Sequence, residues 1–84
     1  MVEPDDIRQT IAAHLPCEHI EVRGDGHHFE AIIVSERFAG LSRIKQHQLV
    51  YGALGDRMRE EIHALSMQTL TPQAWAALKG AAHG

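Results

Sequence analysis

Histidine carries the conspicuous chemistry of this chain. Seven of its 84 residues are histidines, and imidazole both titrates near neutral pH and ligates zinc, copper and iron. Two of them close the segment Gly24-Asp25-Gly26-His27-His28, whose glycines allow a tight, exposed turn. Successive strand residues face opposite ways, so His27 and His28 are not expected to share one metal ion. By themselves they read as one solvated imidazole and one packed against a sheet. His63 follows a charged run and is expected to open a strand, on one face with Leu65 and Met67. By itself it reads as a half-buried histidine satisfied by a backbone carbonyl. His14, His19 and His83 read as solvated surface residues.

Other chemistries find little support. Ser35, Ser42 and Ser66 lack a nucleophile-elbow setting, and there is no phosphate-binding glycine loop with lysine and no His-Glu-x-x-His. No catalytic residue is therefore expected. A zinc site built from His63 with His27 or His28 would have too few protein ligands to close. Cys17 is the single cysteine, so an internal disulfide is excluded. No apolar run marks a signal peptide or a membrane span, and the expected setting is reducing and cytoplasmic, with no membrane partner. The formal charge of −3 argues against bulk attraction to nucleic acid or anionic lipid. A local basic face remains, made of Arg37, Arg43, Lys45 and His47.

The elements that must position these groups alternate simply. Pro4, with Asp5 and Asp6 behind it, suits the first turn of a helix, and Ile7, Ile11 and Leu15 recur at helical spacing until Pro16. His19 to Arg23 alternates polar and apolar, Gly24-Asp25-Gly26 turns the chain, and His28 to Ser35 is rich in branched apolar residues, which predicts a β-hairpin. Ser42 is the expected N-cap of a second helix reaching roughly Met58, with Ile44, Tyr51 and Leu54, and Leu49 or Val50, facing the sheet. Residues 63–70 predict a third strand, and Thr71-Pro72 caps a last helix through Lys79. Tyr51, Leu54 and Trp75 are expected in the core.

The order is αββαβα in one α+β domain, 1–79, with a flexible tail at 80–84. A right-handed crossover makes strands two and three parallel, giving a three-stranded mixed sheet with helices packed on one face.

Several motifs stand in a recognisable order: Arg37, Phe38 and Gly40 before the second helix, Ser42 and Arg43 at its start, His47 within it, then Val50-Tyr51, His63-Ala64, Thr71-Pro72 and Trp75. In this the chain resembles the BolA family, and among bacterial members its IbaG branch. The resemblance implies a KH-like (BolA-like) fold and iron-sulfur handling rather than catalysis. It implies a monothiol glutaredoxin as partner and a two-iron two-sulfur cluster shared with that glutaredoxin and glutathione. His63 would be one ligand. The second family ligand, a cysteine or a histidine between the first two strands, falls here to His28 or His27, with His28, immediately before Phe29, the first choice. Arg43, Lys45 and His47 would belong to the partner surface. The resemblance also implies a second candidate role, transcriptional control through DNA. Gly40 is one glycine where a KH clamp has two, and Leu41 and Gln46 stand where many members carry lysine and arginine. Without its partner the domain is expected to be a monomer or weak homodimer.

Imidazole ligates only when neutral, and an ordinary histidine has a pKa of about 6.5. A histidine-held cluster should therefore be lost as pH falls below about 6. Visible circular dichroism of the reconstituted complex between about pH 8 and 5.5 checks this; an amplitude indifferent to pH would count against histidine ligation.

Overall fold

The central strand of the computed structural model is its most enclosed element, and it organises the rest. The structure describes residues 2–83, and within them the side chains of all but 57, 61, 62 and 81–83. Strand β2 (Phe29–Val34) lies between β1 (His19–Gly24) and β3 (Leu65–Leu70). It pairs antiparallel with β1, from His19 opposite Val34 to Gly24 opposite Phe29. It pairs parallel with β3, from Phe29 beside Leu65 to Val34 beside Leu70. Hydrogen-bonded on both edges, β2 tolerates an almost wholly apolar sequence.

Alternation then sorts the two faces of the sheet. Phe29, Ala31 and Ile33 join Ile7, Ile11 and Leu15 of the first helical segment and Phe38, Val50, Ala53, Leu54 and Met58 in the main core. The opposite face carries Glu21, Arg23, Glu30, Ile32, Ser66 and Gln68 around an open trough of about 340 Å³.

Helix α1 (Pro4–His14) starts and stops where proline and charge predict, with the Glu3 N–H donating to Asp6 Oδ2 at 2.9 Å. Helix α2 (Arg43–Leu54) is shorter than expected. Gly55, at φ 70° and ψ −173°, takes a backbone conformation that glycine allows and other residues resist, and the helix ends there. A 3-10 turn (Asp56–Met58) and the one-turn α3 (Arg59–Ile62) follow, so the observed order is αββααβα.

The inward face of α2 also differs from expectation. Val50, Ala53 and Leu54 are buried, whereas Ile44 is 72% exposed and Leu49 and Tyr51 are exposed as well. The cause is Gln46, which shares a stripe with Val50, Ala53 and Leu54 at helical spacing. Its Nε2 donates to the carbonyls of Phe38 and Leu41, both at 3.1 Å, and its Oε1 accepts from Thr69 Oγ1 at 2.6 Å. Satisfying this amide turns Gln46 inward and Ile44 and Tyr51 out.

Helices α1 and α2 cover the core face, and α4 (Pro72–His83) is anchored from the other. Thr71 caps it through Oγ1, which accepts from the Ala74 N–H at 3.2 Å. Trp75 stacks on His19 with ring centroids 5.1 Å apart, and Lys79 Nζ lies 5.3 Å from the Trp75 ring centroid. His19, expected in solvent, is half-buried: its Nε2 is shut from water, 3.3 Å from Glu21 Oε1 but not aligned for a hydrogen bond. Trp75 is half-buried beside it rather than enclosed in the core. Of the tail expected at 80–84, Gly80 continues the helix and Gly84 lies outside the described residues.

Among the described residues, Ser35 is the one fully buried polar residue. Its Oγ donates to the Pro16 carbonyl at 2.6 Å and accepts from the Arg37 N–H at 3.1 Å, while its own N–H donates to Leu70 O at 3.0 Å. Three segments meet on this residue. Ser35→Ala removes the partner of a part-buried carbonyl and N–H, and should cost about 1 kcal/mol, read as a lower urea midpoint at unchanged m-value.

Candidate functional site

The turn between β1 and β2 is built around one carboxylate. Asp25 Oδ1 accepts from the backbone N–H of His27 at 2.8 Å and of His28 at 2.9 Å, and the Asp25 N–H donates to His28 O at 3.2 Å. The N–H groups of His28 and then His27 hold the Asp25 carboxyl below the usual carboxylate range. Gly26 supplies the positive φ, 93°, that the turn requires. Gly24 is needed for another reason: a Cβ there would lie 2.5 Å from His28 O and 2.5 Å from Phe29 Cδ1. His27 and His28 are both exposed. His27 lies in the bend and His28 just before β2, so strand alternation does not separate their roles.

His63 is also exposed, in the turn between α3 and β3; the strand begins two residues later, at Leu65. The half-buried strand position expected for it is therefore not what the fold provides. The Phe29 N–H donates to Ala64 O at 2.8 Å, one residue beyond the ladder, and sets the segment ending at His28 beside the segment ending at Ala64. Parallel strands that start level bring their preceding loops together. His27, His28 and His63, distant in sequence, thus share one end of the sheet.

That end of the sheet carries the candidate donors. It offers exposed imidazoles on two adjoining segments, and among the described residues no group of three or more His, Cys, Asp or Glu comes together to hold a metal. Cys17 does not complete it. It precedes β1, at the end of the sheet marked by His19 and Val34, a strand length of roughly 17 Å from the histidines. Its half-buried thiol donates to Leu15 O at 3.3 Å, and burial pushes its pKa up.

The basic residues lie at that far end as well. Arg43 and Lys45 are exposed in the first turn of α2, and His47 is half-buried. Ser42 caps the helix by accepting from the Lys45 N–H at 3.3 Å. The Gln46 link to Thr69, near the end of β3, ties this turn to the sheet end opposite His63. The fold therefore sets the segments that carry His27, His28 and His63 at one end of the sheet and does not join Arg43, Lys45 and His47 to them. Asp25, Gly24 and Gln46 shape these segments without standing among the expected site residues. The Asp-Gly pair signalled a turn, and Gln46 at helical spacing with Val50, Ala53 and Leu54 was the available sign of an inward-facing amide.

Residues 6–74 match the family model described as BolA-like protein. The acid stress protein IbaG of Escherichia coli K12 is 40% identical over 76 residues, covering 89% of this chain and 90% of that one. The DNA-binding transcriptional regulator BolA of Vibrio cholerae is 46% identical over 57 residues, covering 68% of this chain and 54% of that one. Among solved structures, a bolA protein homologue from Coxiella burnetii superposes with a TM-score of 0.80 at 43% identity, covering 90% of this chain and 99% of that one.

Gly24→Ala should displace the His28 carbonyl and the Phe29 ring, at a cost of about 1–3 kcal/mol. Amide chemical shifts should move at His28, Phe29 and Ala64 and stay in place around Ser35. A variant with wild-type stability and shifts would show that the turn has room the geometry denies it.

Proposed function

The chain belongs to the BolA-like protein family, and on that footing we propose that it is an adaptor that binds a monothiol glutaredoxin and co-ligates a labile two-iron two-sulfur cluster as cargo, in cluster trafficking, maturation or iron sensing. The observation that carries this reading is that His63 stands on a segment adjoining the one that carries His27 and His28, at one end of the sheet, all three exposed, with no group of three or more His, Cys, Asp or Glu among the described residues gathered to hold a metal. Such a half-site needs a partner to complete it. His63 and one loop histidine, His28 before His27, would supply imidazole nitrogens, while the glutaredoxin cysteine and glutathione supply thiolates. Two imidazoles in place of two thiolates raise the reduction potential of such a centre. Exposure of all three histidines lets a partner reach them without opening the core.

The adaptor reading assigns no catalysis to this chain, in keeping with relatives named as a stress protein and a regulator. No helix of the described residues is long and apolar enough to cross a membrane.

One observation favours a second reading, nucleic-acid binding. Arg37, Arg43 and Lys45 are exposed, and no acidic residue occurs between Glu36 and Asp56. The Vibrio cholerae relative is named as DNA-binding. The patch is small, and a contact through it would fall off steeply with salt.

Anaerobic reconstitution with a monothiol glutaredoxin and glutathione, followed by visible circular dichroism, tests the adaptor. The wild type should give a mixed-complex spectrum distinct from that of the glutaredoxin homodimer, and His63→Ala should lose it. The homodimer spectrum in both cases would overturn the reading, and a salt-dependent mobility shift on DNA would then favour the second.

A further inference from the structure

Resting on the adaptor reading, we propose that Asp25 is a positioning residue for that site: its carboxylate holds the loop histidine in register with His63 without itself touching the cargo. Three hydrogen bonds join Asp25 to the two histidines, from the His27 and His28 N–H groups to Oδ1 and from the Asp25 N–H to the His28 carbonyl. The carboxylate is exposed and takes part in none of the ion pairs found among the described residues. Its structural use is this loop.

Glycines on either side make that use necessary. Gly24 admits the His28 carbonyl where any Cβ would collide, and Gly26 turns at φ 93°. A Gly-x-Gly segment left to itself samples many conformations, and each would put the imidazoles at a different distance from His63. The Phe29 N–H to Ala64 O bond fixes the base of the loop against the His63 segment. Asp25 fixes what stands above that base. Together they arrange donors from two segments before any partner arrives, which is how residues behind the ligands of a metal site sharpen affinity.

The test uses the full chain as wild type, Asp25→Ala and Asp25→Asn. Asparagine keeps an acceptor oxygen and removes the charge. Each is reconstituted with a monothiol glutaredoxin and glutathione, and decay of the mixed-complex dichroism is timed after chelator is added. Amide exchange at His27 and His28 and the urea midpoint are measured on each chain alone. Asp25→Ala should decay about tenfold faster, with faster exchange at the two histidine amides and an unchanged urea midpoint, while Asp25→Asn follows the wild type.

Equal decay of Asp25→Ala and wild type overturns the proposal and leaves the adaptor standing. So does a lowered urea midpoint in Asp25→Ala, which would mark a merely structural residue, or an Asp25→Asn chain as impaired as Asp25→Ala, which would make charge rather than geometry the cause. A wild type that forms no mixed complex overturns the adaptor and this proposal together, before any variant is compared.

Discussion

Strand β2 pairs on both edges, antiparallel to β1 and parallel to β3, and every position of interest depends on that arrangement. The parallel partner requires a crossover, which α2 and α3 provide. Because Phe29 and Leu65 stand level, the loops entering β2 and β3 lie side by side, and the segments leaving both strands do the same at the other end. Segments that carry histidines more than thirty positions of chain apart adjoin for this reason alone.

The same arrangement gives the molecule two unlike ends. At one, the backbone of the loop that carries His27 and His28 is held by strand pairing and a single carboxylate. At the other, Ser35 and Gln46 tie four stretches of chain together with buried polar bonds, and the exposed cations of α2 stand on that rigid base. Hydrogen bonds inside a small core act as geometric constraints more than as large stabilisers, since their net worth is about 0.5–1.5 kcal/mol each. Here they set the rotation of α2 and the path of the chain after β2.

Where residues have a local rule, the sequence was legible. Pro4 and Pro16 bracket α1, Gly24-Asp25-Gly26 turns the hairpin, branched residues mark β2, and Thr71-Pro72 starts α4. Where a long-range partner decides, it was not. Gln46 faces inward because Thr69 and two loop carbonyls await it, and that overrides the apolar spacing that pointed to Ile44 and Tyr51. Gly55 ends α2 where propensity alone allowed continuation. His19 is drawn out of solvent by Trp75, a residue more than fifty positions away.

By itself the sequence determined the class of the fold and the family, because capping, turn chemistry, alternation and motif order are all written in near neighbours. It could not place His63 in an exposed turn, set Asp25 under both loop histidines, or put the basic patch at the far end from them. Those depend on register between strands and on which polar atoms find partners across the core. Only the closed sheet supplies such partners.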